Sequence, residues 1–238
     1  MNKIEKEPSH TYTSVAESVF QVERSAWNNC ANFIDDNRNI GNPFLSHEFF
    51  SCLEESGSVS KETGWISQHI LLFEEGNSLI GILPNYLKNH SWGEYIFDQV
   101  FANAWENAGG KYYPKLLSAI PFSPVAGERF LIKKGYSRKF VIEKLLDALE
   151  DLKKFYKVSS AHINFINEPQ LKIALKNKFW FERNNIQFHW SNQNYENFEH
   201  FLSKLSSSKR KTIRRERKEI HKSSILIDIV KNDEIKNY

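Results

Sequence analysis

The sequence predicts a mixed α/β fold, and three observations predict it. Residues 68–89, QHILLFEEGNSLIGILPNYLKN, hold two apolar runs split by a turn at Glu75-Gly76-Asn77 and closed by Pro84, the pattern of a β-hairpin. Residues 137–157, SRKFVIEKLLDALEDLKKFYK, set Phe140, Val141, Leu145, Leu149 and Leu152 on one stripe. Glu143, Lys144, Asp147, Glu150 and Lys153 fall on the other side, as in an amphipathic helix. A short strand pattern, SAHINFI, follows, then helical EPQLKIALKNK and strand-like NIQFHWS, so helices and strands alternate.

The remaining elements fit the same class. VAESVFQVERSAWNNCANFIDD opens with β-branched residues and then spaces Trp27, Cys30, Ala31 and Ile34 helically, which predicts a strand leading into a helix. After Asn42-Pro43, Ser46 is an N-cap for HEFFSCLEES, and Gly57 ends that helix. EYIFDQVFANAW, read as a strand, puts Tyr95, Phe97 and Phe101 on one face and Glu94 and Asp98 on the other. Those two carboxylates suit either acid/base chemistry or a solvated face. Residues 106–132 carry three glycines and three prolines around a short apolar strand, which predicts a loop-rich wall rather than core. YENFEHFLSKL reads as an amphipathic helix, and residues 225–230 as a strand followed only by polar KNDEIKNY. That ending predicts a chain that stops short of the strand's partner.

Composition narrows the function. With 238 residues, 40% of them apolar and 14% aromatic, the chain can bury a core. The net charge of +3 is unevenly spread: eight basic residues in 209–222 face only Glu216 and Glu219, a local +6 that leaves −3 elsewhere. On a helix Arg210, Arg214, Arg217 and His221 share a face able to grip phosphate. No aromatic residue interleaves these charges, which disfavours stacking on single-stranded nucleic acid. Cys30 and Cys52 form no CxxC pair and read as buried free thiols in a reducing, cytoplasmic compartment. No apolar run reaches the roughly 18 residues of a membrane span. HExxH, GxSxG, Walker and GxGxxG patterns are all missing, so no metal site is expected and three enzyme classes lose their signatures.

Five blocks carry a resemblance: PFLSHEFFSCLEESGSVSKETGW, HSWGEYIFDQVFANAWENAGGKYYPKLLSAIPFSPVAG, HINFI, QFHW and SSSKRKTIRRERK. Collinear over about residues 40–230, they resemble the FemAB-like family of predicted GNAT-related N-acyltransferases linked to peptidoglycan biosynthesis. The resemblance implies a GNAT-like mixed sheet flanked by helices, the first of two tandem folds. Residues 1–200 would form that first fold, and residues 201–238 the basic linking helix and opening strand of an incomplete second one. It implies acyl or aminoacyl transfer to an amine of a phosphorylated, small-molecule or lipid-linked acceptor, with the fragment itself inactive if the second fold is missing. Acyl-CoA or aminoacyl-tRNA would be the donor, with no permanently bound cofactor. The acyl-CoA loop Q/R-x-x-G-x-G/A is absent. Arg210 is similar to a family residue near a diphosphate, and Lys209, Lys211 and Arg214 would join it. Tyr112, Tyr113, Lys115 and Ser123 would shape the acceptor pocket, Ser123 standing where Fem enzymes carry glycine in a Gly-Pro-Val turn. A different class of function uses the same helix without catalysis, as a nucleic-acid- or anionic-surface-binding module.

Overall fold

The computed structural model describes residues 5–33 and 41–230. Its elements in chain order are β1 (Thr11–Ala16), α1 (Arg24–Cys30), α2 (His47–Glu55), β2 (Trp65–Ser67), β3 (His69–Glu74), β4 (Ser78–Leu83) and β5 (Tyr86–Lys88). There follow α3 (Gln99–Asn107), β6 (Lys115–Ser118), β7 (Leu131–Ile132), α4 (Arg138–Tyr156), β8 (Ala161–Ile163), α5 (Glu168–Ala174), α6 (Phe198–Ser203) and α7 (Ser207–Lys222). Contacts divide the chain into two compact units, Met1–Glu182 and Arg183–Tyr238.

The architecture is mixed α/β, as expected. One sheet has the order β1-β3-β4-β7 and the other β2-β5-β6-β8. All pairs are antiparallel except β6 with β8, which run parallel on either side of α4 in sequence. The predicted hairpin runs through both sheets, because only Gln68 separates β2 from β3 and only Pro84-Asn85 separates β4 from β5. Pro84 has no N–H for a ladder, and Asn85 closes the gap. Its carbonyl accepts from Gln68 N at 2.8 Å, and its side-chain oxygen accepts from Ser118 Oγ at 3.1 Å.

In the first sheet, β3 and β4 are buried on both faces. Ile70, Leu72 and Ile80 pack with Val141, Leu145 and Leu149 of α4, while Leu71, Leu79 and Ile82 pack with Trp27, Cys30 and Phe50 of the α1–α2 side. Leu72 pairs with Gly81 but Phe73 with Leu79, so Ile80 is the extra residue of a β-bulge. A side chain at Gly81 would come within 2.5 Å of Val141 Cγ1, which is why α4 can lie so close. The tight turn uses Gly76 and Asn77 at φ of 87° and 62°. Helix α4 starts where predicted, Ser137 Oγ accepting from Phe140 N, and α2 is capped by Ser46.

Several expectations change. Glu94 and Asp98 are not on a strand: residues 94–98 are irregular and α3 begins at Gln99, because both carboxylates turn inward to a buried lysine. The wall expected to avoid the core contributes to it, since Leu116, Leu117, Ala119 and Ile120 are buried. NIQFHWS and residues 225–230 form no strand among the described residues. β-branching favours a strand only where a neighbouring backbone offers a ladder. Cys30 is buried, its thiol pushed up to about 12 by burial. Cys52, by contrast, is exposed, because it lies on the outer side of α2 from Phe50. Ile34 and the KNDEIKNY tail lie outside the described residues.

Candidate functional site

Strands β5 and β6 pair Lys88 directly opposite Lys115, so two lysines share one sheet face. Like charges so placed repel, and the loop after β5 supplies the compensation. Lys115 Nζ donates to Asp98 at 2.6 Å, to Glu94 at 2.8 Å and to Ser91 Oγ at 2.8 Å. Tyr112 OH donates to Asp98 at 2.9 Å, and Tyr113 OH lies 2.7 Å from Ser91 Oγ. Lys88 Nζ reaches the Trp92 carbonyl at 3.3 Å and sits 3.6 Å over the Trp65 ring.

The electrostatics follow from burial. Lys88 and Lys115 are fully buried and Glu94 and Asp98 nearly so. Burial pulls the Lys88 ammonium well below the ordinary lysine value; Glu94 counters this and Lys115 adds to it. Burial pushes Glu94 up despite its bond to Lys115. Burial acts on Asp98 in the same sense, but hydrogen bonds from Lys115, Ser91 and Tyr112 outweigh it and hold that carboxyl below its usual range. The cluster therefore fixes the loop at 89–98 against β6.

Trp65 stands between two cavities. One, of about 640 Å³, has Glu17, Glu54, Glu55 and Lys61 in its walls; the other, of about 390 Å³, is bordered by His90, Trp92 and Phe122. Volumes of this size suit small-molecule sites. Phe122 stacks at a tilt on Trp65 at 5.2 Å, and its N–H donates to the Gly93 carbonyl at 3.1 Å, tying residues 119–130 to the loop.

Glu54 is a structural wall of the larger cavity. It accepts from Ser18 Oγ at 2.6 Å, Ser67 Oγ at 2.8 Å and Val19 N at 3.1 Å, with His69 Nε2 at 3.6 Å. Burial opposes its ionisation, but the nearby His69 ring and the bonds from Ser18, Ser67 and Val19 prevail and hold it at about 2, against 4.5 unperturbed. Because the folded pKa lies below the unfolded one, this stabilisation is complete above about pH 4.5 and is lost as pH falls through about 2. Urea unfolding should show about 2 kcal/mol lost from this group by about pH 3. Glu54→Gln should flatten that part of the curve; an unchanged slope would refute the tie.

The predicted residues separate into groups. Tyr112, Tyr113 and Lys115 come together, Tyr112 and Lys115 buried and Tyr113 half-buried. Ser123 does not join them; its Oγ accepts from Val125 N at 3.4 Å within its own turn. In the second unit, α7 forms as predicted, and three of its four arginines turn toward α6 while Arg215 lies 3.9 Å from Glu219 of its own helix. Arg210 Nη1 donates to the Ser203 carbonyl at 3.3 Å, Arg214 pairs with Glu199, and Arg217 lies 4.4 Å over the Phe198 ring. The side chains of Lys209 and Lys211 are exposed and contact no partner among the described residues. Lys88, Ser91 and Trp65 were not singled out from sequence. A lysine set in an apolar run, as in KLLSAI and NYLKN, was the available signal of a buried amine.

Among the described residues no group of three or more His, Cys, Asp or Glu is placed to hold a metal, and no helix is long and apolar enough to cross a membrane. No curated protein matches the chain. A solved structure similar to the chain is aminoglycoside 6'-N-acetyltransferase AAC(6')-Ih from Acinetobacter baumannii. The identity is 12%, with 77% of this chain and 99% of that one covered and a TM-score of 0.42. The FemAB-like family, described by peptidoglycan biosynthesis and recognition, matches residues 18–238, nearly the whole length. The chain belongs to the FemAB-like family.

Proposed function

We propose that this protein is an N-acyltransferase that joins an acyl or aminoacyl group to an amine of a phosphorylated, cell-envelope-related acceptor on the cytoplasmic side. The family match over residues 18–238 is the observation that carries this reading. Amide formation needs a neutral amine, donors facing the developing oxyanion and a held geometry, and orientation alone supplies much of the rate. A wall held rigid by Lys115 beside the cavities at Trp65 suits that demand.

The start of α4 bears on the donor. In acyl-CoA enzymes a free helix start holds the pyrophosphate. Here Ser137 Oγ caps the helix, the Ser137 N–H donates to the Lys6 carbonyl at 3.0 Å, and Lys6 N donates to Gly135 O at 2.8 Å. Only the Phe140 N–H of that start is taken by a side chain, so the donor is acyl-CoA or aminoacyl-tRNA.

On α7, Lys209 and Lys211, near its N-terminus, are exposed cations available for acceptor phosphate, while Arg210 and Arg214 are engaged with α6. Replacing both lysines by alanine should weaken binding of a nucleotide-linked muropeptide about tenfold, by calorimetry, and reduce its salt dependence. Arg214→Ala should instead loosen the α6–α7 pair, seen as faster amide exchange there. Unchanged affinity in the double-lysine variant would remove the phosphate assignment.

A further inference from the structure

Trp65 carries a polar group that the fold leaves unused. The residue is 1% exposed, and its indole Nε1–H has no acceptor among the described residues. A buried donor without a partner is costly, so an acceptor brought to it gains more than an exposed hydrogen bond would. The indole edge that carries this N–H turns toward Gly93 and Phe122. A Cβ on Gly93 would lie 3.3 Å from Trp65 Cζ2, the C–H beside the N–H on that edge, and 2.7 Å from Phe122 Cδ1. That is the side of the smaller cavity, which Ser58, Thr63, His90, Trp92 and Phe122 border together with Trp65.

The walls of this cavity define what it can take. None of the six bordering residues is charged. His90 Nδ1 accepts from Trp92 N at 3.1 Å while Nε2 lies 2.9 Å from the Thr63 carbonyl, which makes the ring the neutral Nε2–H tautomer. Thr63 Oγ1 donates to the Ser58 carbonyl at 2.9 Å, and the Ser58 and Ser56 hydroxyls pair at 2.9 Å. The Lys88 ammonium behind the wall is spent on the Trp92 carbonyl and the Trp65 ring. A charged ligand would therefore lose water and gain no counter-charge. The cavity opens outward, with Trp92 81% and Phe122 40% exposed. A small ligand needs most of its surface enclosed, which such walls do not supply, whereas an extended segment needs one face only. Proline meets each demand. A polyproline helix has no internal hydrogen bonds, so its carbonyls are free acceptors, and it strands no proline N–H against the aromatic rings.

We propose that this cavity seats an uncharged, proline-rich segment of a partner protein in the polyproline II conformation. Its prolines lie against Trp92 and Phe122, and one carbonyl accepts from Trp65 Nε1–H as the Phe122 ring shifts aside. This goes beyond acyl transfer and does not depend on it. The probe is acetyl-hexaproline amide, titrated into the full chain while the assigned indole N–H signals of its six tryptophans are followed by nuclear magnetic resonance. The expected result is a saturable downfield shift of the Trp65 signal. Trp92→Ala should weaken binding at least about tenfold. The hydrogen bonds of Trp92 to His90 and Lys88 run through its backbone, so circular dichroism of that variant should match the parent. The proposal is overturned if the Trp65 signal shows no saturable shift, if Trp92→Ala binds as tightly as the parent, or if an acetylated glycine-serine hexapeptide shifts the signal equally. N-acetylpyrrolidine binding as tightly as hexaproline would make the cavity a small-molecule site and would also overturn it.

Discussion

Lys115→Met should destabilise the protein by about 3–5 kcal/mol, the cost of leaving buried carboxylates without their cation. Glu94 and Asp98 are each 2% exposed and both bond to this one ammonium. Without it they face each other in a dry site, and their folded pKa values should rise above the unfolded ones. The variant should therefore gain stability as pH falls from about 7 to about 5, while the Glu54 tie makes the parent lose it toward lower pH. Adding Glu94→Gln and Asp98→Asn should restore part of the loss, because the stranded charges are then gone. Guanidinium unfolding reads all three. A variant as stable as the parent would show that the cluster does not hold the loop at 89–98.

Arg129→Ala should cost a similar 3–5 kcal/mol, combining a cavity with stranded backbone carbonyls. Arg129 is 1% exposed and has no carboxylate partner among the described residues; burial lowers its guanidinium to about 10. Its fork instead gathers three carbonyls, Asn164 at 2.7 Å, Glu128 at 2.9 Å and Val125. Gln170 fixes the same point from α5, accepting from Arg129 N at 2.8 Å and Phe130 N at 3.1 Å. Residues 119–130 thus depend on this side chain beside Gln170 and the Phe122–Gly93 bond, and their loosening should appear as faster amide exchange and new protease cleavage there. Arg129→Lys should fall between parent and alanine, because an ammonium cannot reproduce the planar fork. Protection of residues 119–130 that is unchanged in the alanine variant would contradict the clamp.

What was legible in the sequence was what local chemistry decides. The Gly76-Asn77 turn, the Ser46 cap and the stripe of α4 are signals within a few residues, and each stands where it was read. The bulge at Ile80 and the break at Pro84-Asn85 showed only as a glycine and a proline in apolar runs. Pairings across long separations were not legible. Lys115 meets Glu94 and Asp98 only because β6 folds back along β5, so alternation alone suggested a solvated strand face. On α7 the spacing placed Arg210, Arg214 and Arg217 on one face, but not that α6 would occupy it. Residues 225–230 show the converse, where β-branching without a pairing partner made no strand.

The central claim is amide-forming transfer onto an envelope-related acceptor. Its most direct test incubates the protein at its full natural length with a nucleotide-linked muropeptide and either aminoacyl-tRNA or acetyl-CoA, and weighs the acceptor by mass spectrometry. The account predicts a mass gain of one acyl or aminoacyl group on the acceptor amine from one of the two donors, and loss of the product in Lys115→Met. An acceptor whose mass stays unchanged with both donors would contradict it.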